Sequence, residues 1–212
     1  MINKKGADMK NIFITNIPMM GDKLQPKIYK SVKDYGIDTN MKTKFPIIPV
    51  IKAKAKEDEE VKVIAVRYDN EDSAKNLEML KHELVFAGFK EITIVDIVEP
   101  ENQEDITGIQ IFLDVLKNID DHSDVYACVT YSTKIMSMMM MYLLDSLAYL
   151  KDNVKVQGVY YGEVRRSNGE DREGESYFYE ISNLVFLNHA IKEIADLKLS
   201  NPEKMLEKLL DK

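Results

Sequence analysis

The sequence predicts an α/β fold built on a doubly wound, mostly parallel sheet. Five short apolar runs are rich in Val, Ile, Tyr and Thr, and several are near-continuous, which is typical of strands covered on both faces. Between these runs, apolar residues recur at every third or fourth position, the spacing of an amphipathic helix. Strands and helices that alternate in this way form parallel sheets with right-handed crossovers.

The predicted elements follow one another along most of the chain. Strands are predicted at residues 11–16, 62–68, 91–97, 125–130 and 154–161. Helices are predicted at residues 72–87, 105–119 and 133–150. Gly88 directly follows the first of these helices and suits a C-terminal cap, since glycine accepts the left-handed backbone found there.

The connection between the first two strands, residues 17–61, is long for a crossover. It contains several prolines, and a helix is predicted from Pro46 through residue 60 because proline is accepted in a first helical turn. Residues 24–44 are predicted to form a small hairpin or an extended flap. Long insertions at this position often cover a ligand.

The C-terminal part of the chain predicts an antiparallel edge hairpin and two helices. Residues 165–175 read as a polar loop, and residues 176–181 as a sixth strand that pairs with the fifth. Helices are predicted at residues 182–198 and 201–210, the second with Asn201 as N-cap and Pro202 in its first turn.

Composition and charge exclude several classes of protein. Of the 212 residues, 45% are apolar, enough for a packed core and against global disorder. No apolar run reaches the roughly 20 residues of a membrane helix, and no signal peptide is evident. A single cysteine, Cys128, excludes an internal disulfide and fits a cytoplasmic protein. The net charge of −7 argues against binding to duplex nucleic acid.

The common cofactor and metal signatures are missing from the sequence. It contains no HExxH, CxxC or EF-hand spacing and no GxxxxGK[ST] or GxGxxG loop. We therefore expect neither a metal nor a cofactor. A small anionic ligand in a local pocket remains compatible with this composition.

In a doubly wound sheet, ligands bind outside the carboxyl ends of the strands. The segment after the fourth predicted strand, VTYSTKIMS at 129–137, places hydroxyls and a lysine where a helix opens. Backbone amides at a helix N-terminus favour an anion, so Ser132, Thr133 and Lys134 predict a phosphate site. The alternative is that Ser132 or Thr133 only caps the helix and Lys134 is solvated.

This segment resembles the helix-opening motif of CARF domains, the CRISPR-associated Rossmann-fold sensors of cyclic oligoadenylates. Many of these carry an Asn/Asp-hydrophobe-Thr-Gly-Gly-Thr-Lys-x-Met-Ser type of sequence at this place. The residues that agree here are Thr133, Lys134, Met136 and Ser137. Tyr131 and Ser132 replace the two glycines, which changes the detail of phosphate contact.

The resemblance extends beyond the motif. Residues 15–18 occupy the place of the family's other ligand loop, and the order of strands and helices over residues 10–163 matches a Rossmann-like fold. The resemblance implies a CARF-like domain at residues 1–163, with an edge strand and terminal helices at 164–212 packing on it.

The resemblance also implies a homodimer whose ring-shaped ligand lies across the two-fold axis. The helix over 133–150 would lie near that interface, since it is apolar over nearly its whole circumference and is rich in adaptable methionine. The alternative is burial of this helix within the monomer by the terminal helices. The implied ligand is a cyclic tetra- or hexa-adenylate, with cyclic tetra-adenylate the first choice.

The predicted ligand-binding residues come from the carboxyl ends of the strands. They are Thr15, Asn16, Ile17, Pro18, Met19, Arg67, Tyr68, Thr130, Tyr131, Ser132, Thr133, Lys134 and Tyr161. Tyrosines at strand ends can stack on adenine or simply pack with wet hydroxyls. Because neighbouring strand residues face opposite sides, at most one of Tyr160 and Tyr161 is expected in the pocket.

Four functions remain open at this point. The chain is expected to be a cyclic-oligoadenylate binding protein of type III CRISPR antiviral defence that hands the signal to an effector partner. Alternatively it is a metal-independent ring nuclease, with Lys134 and Ser132 acting on the phosphate, or the sensor part of a longer effector. An unrelated α/β oligomerisation or small-molecule domain is the fourth. Residues 164–212 are too few for a separate catalytic domain, so binding is favoured.

Overall fold

The protein is described by a computed structural model that covers residues 9–21, 24–56, 58–100, 105–167, 170–198 and 200–210. Its strands are β1 (Lys10–Asn16), β2 (Lys30–Ser31), β3 (Val61–Tyr68), β4 (Ile92–Glu99), β5 (Ser123–Cys128), β6 (Lys155–Ser167) and β7 (Glu170–Glu180). Its helices are α1 (Ile47–Lys54), α2 (Glu71–Phe86), α3 (Asp105–Asn118), α4 (Lys134–Leu150), α5 (Asn183–Asp196) and α6 (Pro202–Leu210).

The strands form one sheet in the order β2-β7-β6-β5-β1-β3-β4. Strands β4, β3, β1, β5 and β6 are parallel, and β7 runs antiparallel to β6. This confirms the predicted Rossmann-like α/β fold with an antiparallel edge hairpin and two C-terminal helices. After the short edge strand β2, the chain returns to β3 beside β1, continues outward to β4, and then crosses to β5 on the other side of β1. The topological switch point therefore lies between β1 and β5.

The central strand β1 shows why the sheet is covered on both faces. Phe13 is fully buried on the face covered by α1 and α2, while Ile12 and Ile14 are fully buried on the face covered by α3 and α4. Burial on both faces requires the near-continuous apolar run that the sequence shows here. The two cores hold the carboxyl ends of β1 and β5 in fixed register, with Thr15 beside Cys128.

Two sequence predictions about the limits of elements are wrong. Helix α1 ends at Lys54 rather than near residue 60. Its buried residues end at Ile51, and the charged residues that follow have no apolar face to pack against the sheet. The predicted loop at 165–175 is largely strand, because β6 runs to Ser167 and β7 begins at Glu170. Its polar composition reflects a hairpin that extends beyond the sheet, not a loss of strand pairing.

Residues 24–45, called here the inserted segment, pack onto the domain. An antiparallel bridge joins Lys27 to Thr43, and β2 pairs with β7. Tyr29 and Phe45 are buried in the core on the α1–α2 face. The inserted segment therefore packs beside the carboxyl edge of the sheet.

The C-terminal helices add to the face that carries α4. Asp145 of α4 is buried and lies 2.8 Å from Lys192 Nζ and 3.0 Å from His189 Nε2, both on α5. The side chain of Asn201 accepts a hydrogen bond from the Lys204 amide at 3.1 Å, as expected for the N-cap of α6. Among the described residues, no helix combines the length and the hydropathy needed to cross a bilayer.

Candidate ligand-binding site

A pocket of about 340 Å³ opens at the carboxyl edge of the sheet, beside the switch point between β1 and β5. It is formed by the loop after β5, the first turn of α4 and the part of β6 that extends past the end of β5. Its walls are Val129, Thr130, Tyr131, Ser132, Lys134, Ser137, Tyr161, Gly162, Val164 and Arg166. Five predicted site residues, Thr130, Tyr131, Ser132, Lys134 and Tyr161, therefore meet in one place.

The N-terminus of α4 is directed at this pocket. Thr133 is the N-cap, and its side-chain oxygen accepts a hydrogen bond from the amide of Met136 at 3.2 Å. The same oxygen also lies 3.1 Å from the hydroxyl of Tyr68. Thr133 therefore caps the helix, and the backbone amides of Lys134 and Ile135 in the first turn have no bonding partner among the described residues.

Lys134 gives the pocket its uncompensated positive charge, and Arg166 enters the pocket as a member of an ion-paired cluster. Lys134 is exposed in the first turn of α4, and no residue in the described ranges forms an ion pair with it. Arg166 lies 2.7 Å from Asp171, which also contacts Lys27 of the inserted segment at 2.7 Å. Burial raises the pKa of Asp171, but hydrogen bonds from Lys27 and Arg166 outweigh it and hold that pKa below its ordinary value.

Hydroxyl groups occupy the floor of the pocket. Ser132 donates to the carbonyl of Val129 at 3.2 Å, and its oxygen also contacts that of Ser137. Thr130 accepts a hydrogen bond from the amide of Gly162 at 2.7 Å, which ties β6 to the loop after β5. These contacts hold the hydroxyls of Ser132 and Ser137 beside Lys134.

Tyr131 has a backbone conformation that favours glycine. Its φ is +65°, in the left-handed region. Its hydroxyl lies 2.7 Å from that of Tyr29 and donates to the carbonyl of Lys44 at 3.0 Å. Burial raises the pKa of Tyr131 to about 12. Tyr131 thus anchors the inserted segment to the pocket loop, and its expected stacking on adenine remains a prediction.

Asn16 is an unsatisfied polar residue at the end of β1. Its side chain is 3% exposed, and neither its amide nitrogen nor its amide oxygen bonds to any described residue. Strand alternation places Asn16 on the α3–α4 face, with Ile12 and Ile14. Buried amides are normally paired, so an unpaired one at a switch point marks a place where a ligand or a water completes the structure.

Tyr68 connects Thr133 to a buried carboxyl group. Glu99, at the end of β4, is buried and hydrogen-bonds to Tyr68. Desolvation raises the pKa of Glu99, and the bond from Tyr68 only partly offsets that rise. A line of polar groups therefore runs from β4 across the switch point to the first turn of α4.

Other predicted ligand residues have structural partners. Ile17 is buried in the α1–α2 core, and Thr15 is buried with its hydroxyl near the Asn16 carbonyl. The Pro18 carbonyl accepts from Asn76 at 2.8 Å, which fixes the loop after β1 to α2. Met19 is exposed at this loop.

Arg67 forms a bidentate pair with Asp96. Its charge is already neutralised, and the structure does not bring it into the pocket.

Tyr160 and Tyr161 lie on opposite sides of β6, and Cys128 lies in the core. Tyr160 is buried in the core while Tyr161 faces the pocket, as strand alternation predicts. Cys128 is fully buried, and desolvation raises the pKa of its thiol, so it is a core residue.

Arg166 is one of the pocket residues absent from the predicted site, because the polar composition of residues 165–175 predicts a loop.

Among the described residues, no group of three or more His, Cys, Asp or Glu side chains is arranged to hold a metal ion. The fold and this pocket define a Rossmann-like α/β protein with a polar pocket between the carboxyl end of β5 and the extension of β6. Comparison with protein-family models and with curated proteins finds no match to the chain.

Proposed function

We propose that this protein binds a cyclic oligoadenylate, with cyclic tetra-adenylate the first candidate, across a homodimer in type III CRISPR antiviral signalling. The observation that carries the proposal is Lys134, which stands without an ion partner among the described residues, in the first turn of α4, beside the switch point. The agreement of Thr133, Lys134, Met136 and Ser137 with the CARF motif adds support.

The chemistry of the pocket suits a phosphodiester. Lys134 supplies positive charge, Arg166 adds a guanidinium that it shares with Asp171, and the first-turn amides of α4 supply hydrogen-bond donors. Asn16, at the end of β1 and outside the pocket walls, offers a buried amide that is costly to leave unpaired in the free protein. A ligand that bonds to Asn16 would recover that cost, which favours a polar ligand at the switch point.

An apolar groove between α3 and α4 supports the homodimer in this proposal. It has a volume of about 690 Å³ and is formed by Gly108, Ile109, Phe112, Leu113, Ile135, Met138, Met139 and Tyr142. Met138 is 59% exposed and Tyr142 is 66% exposed. A second copy of the chain is the proposed occupant because Ile135, in the groove, directly follows Lys134 in the pocket. Pairing through this groove would thus bring two pockets toward one two-fold axis, as a ring of even symmetry requires.

The test is titration of the purified protein with cyclic tri-, tetra- and hexa-adenylate by calorimetry, followed by chromatography of the nucleotide. We expect saturable binding of one intact ring per two chains. Linear tetra-adenylate and AMP serve as controls for ring shape. Recovery of linear or half-ring products would instead identify a ring nuclease, and no binding of any ring would reject the proposal.

A further inference from the structure

The β6–β7 hairpin extends past the end of β5. Tyr160 pairs with Cys128, the last residue of β5, so β6 from Tyr161 to Ser167 projects beyond the edge where the pocket opens. Register pairs Tyr161 with Tyr179, and Glu163 with Tyr177. The side chains of these four residues consequently share one face of the hairpin.

That face carries aromatic rings together with an arginine. The rings of Tyr161 and Tyr179 stack with their centroids 6.4 Å apart and an interplanar angle of 24°. The centroids of Tyr177 and Tyr179 are 6.5 Å apart, and Arg165 Cζ lies 4.5 Å from the centre of the Tyr177 ring. We call Tyr161, Arg165, Tyr177 and Tyr179 the aromatic face.

The aromatic face is distinct from the aromatic packing of the core. On the other side of the hairpin, Tyr160 and Phe178 stack inside the core. Tyr161 is 40% exposed, and Tyr177 and Tyr179 are partly exposed. Cross-strand pairing accounts for some stability of the hairpin, but it does not require three tyrosines at a solvent-accessible surface.

The aromatic face is continuous with the pocket. Tyr161 belongs to both, since it forms a wall of the pocket together with Lys134 and Arg166. From the Tyr161–Tyr179 pair, the face continues outward to Tyr177 and Arg165, about 6.8 Å further along the strands. A phosphate in the pocket would therefore have aromatic rings beside it at the positions open to its attached bases.

We propose that the aromatic face stacks two successive bases of an oligoadenylate whose phosphate occupies the pocket. This inference rests on the proposed function and names the base-binding part of the same site. One base lies against Tyr161 and Tyr179, and the next against Tyr177 and Arg165. Aromatic side chains and arginine guanidinium groups stack on unpaired bases in many single-strand binding proteins.

Glu163, between the two stacking positions, gives this face a preference for adenine. Its carboxylate accepts from Tyr179 Oη at 2.8 Å and from Arg165 Nε at 3.4 Å. Carboxylate oxygens have further lone pairs, so they can also accept from the exocyclic amino group of adenine. Uracil instead offers a single N–H, at N3, and the two carbonyl oxygens that flank it repel a carboxylate.

The test compares leucine and phenylalanine at the two β7 tyrosines. Binding of cyclic tetra-adenylate is measured by calorimetry, and binding of fluorescein-labelled linear hexa-adenylate and hexa-uridylate by anisotropy. We expect Tyr177→Leu and Tyr179→Leu each to weaken adenylate binding roughly tenfold, while the phenylalanine variants stay close to wild type because they keep the ring. Wild type should also bind hexa-adenylate more tightly than hexa-uridylate. Tyr149→Leu, at the far end of α4, is the matched control.

A tryptophan reporter covers the case in which the leucine variants fail to fold. The sequence contains no tryptophan, so Tyr177→Trp gives a single emitting residue that can still stack. Its emission should be quenched by hexa-adenylate and not by inorganic phosphate. Unchanged emission on adding hexa-adenylate would overturn the inference.

The outcomes separate the inference from the proposed function. Ring binding by wild type that is equally strong in both leucine variants would overturn the aromatic face and leave the proposed function standing. Absence of ring binding by wild type would reject the proposed function. The aromatic face would then be tested with hexa-adenylate alone. Loss of hexa-adenylate binding in the leucine variants would support the role of the aromatic face, and absence of hexa-adenylate binding by wild type would reject it.

Discussion

The hydroxyl groups of Tyr131 and Tyr29 lie 2.7 Å apart and join the pocket loop to the inserted segment. In this position Tyr131 has a left-handed backbone conformation, which costs an L-residue about 1–2 kcal/mol. Such conformations persist where surrounding contacts hold them, and they cluster at ligand sites. The bond therefore sets both the course of the pocket loop and the position of the inserted segment beside it.

Removing either hydroxyl should destabilise the fold. Tyr29 is 1% exposed, so Tyr131→Phe leaves the hydroxyl of Tyr29 buried without the hydroxyl of Tyr131 as its hydrogen-bond partner. We expect Tyr131→Phe to lower the free energy of unfolding by about 1–3 kcal/mol in urea titrations. The double variant with Tyr29→Phe should lose less than the sum of the single losses, because the two hydroxyls act as one pair. Additive losses would show that the pair contributes no coupling.

Asn16 and Asn76 offer a matched pair of buried amides with opposite expectations. Asn16 has no partner for either side-chain atom, whereas the amide of Asn76 donates to the carbonyls of Pro18 and Met20 at 2.8 Å each. We expect Asn16→Leu to raise the free energy of unfolding of the ligand-free protein by about 1 kcal/mol and to weaken ring binding. Urea titration and calorimetry measure the two effects.

Asn76→Leu is the control for this comparison. It should lower the free energy of unfolding by about 2–3 kcal/mol, because two carbonyls lose their donor. Destabilisation by Asn16→Leu as large as that by Asn76→Leu would mean that Asn16 is satisfied in solution by ordered water.

The parallel core and its order of elements could be predicted from the sequence because burial on both faces leaves a direct composition signal. Phe13 and Ile14 show this, since neighbouring residues of β1 are both fully buried on opposite faces. The end of the loop after β5 could also be predicted, because Thr133 is a residue type that caps helices and it directly precedes an apolar helical pattern.

The hairpin beyond the sheet was not predictable in the same way. Arg166 of β6 and Asp171 of β7 form an ion pair across the hairpin. When each segment is considered alone, charged residues of this kind indicate a loop and not a strand. The bond between Tyr131 and Tyr29 joins residues 102 positions apart in the chain, so no local pattern signals it. Tertiary contacts of this kind decide which predicted site residues reach the pocket.

The buried carboxyl of Glu99 predicts a specific pH dependence of stability. Desolvation raises its pKa above the ordinary value of 4.5, so the native state holds this proton where the unfolded chain releases it. Stability of the wild type should fall as pH rises from 4.5 through the raised pKa. Glu99→Gln has no charge to desolvate. We expect its free energy of unfolding to match wild type near pH 4 and to exceed it at pH 7.

Asp114 supplies a control of opposite sign for this pH dependence. Hydrogen bonds from Gln110 and Lys117 lower the pKa of Asp114, so its contribution is present at neutral pH and is lost as pH falls through that lowered pKa. Asp114→Asn should therefore be less stable than wild type at pH 7 and not at low pH. Curves for Glu99→Gln and wild type that stay parallel from pH 4 to 7 would contradict the role given to Glu99.

Two methionines in α4 should separate folding from dimerisation. Met140 is 1% exposed in the core, whereas Met138 is 59% exposed in the groove between α3 and α4. We expect Met140→Glu to unfold the protein, because it buries an unpaired charge. Met138→Glu should keep the fold by circular dichroism and yield monomers by light scattering. Dimers of Met138→Glu that are as stable as wild type would place the interface elsewhere.

Lys134 should contribute to ligand binding and not to folding. It is exposed and without an ion partner among the described residues, so Lys134→Ala should leave the urea unfolding midpoint unchanged. We expect the variant to bind cyclic tetra-adenylate roughly tenfold more weakly at low salt, because a phosphate contact is lost. The difference from wild type should narrow as salt is raised, since salt screens the contact. Lys155→Ala, an exposed lysine at the opposite end of the sheet, should bind like wild type. Equal losses at Lys134 and Lys155 would point to general charge attraction and remove Lys134 from the site.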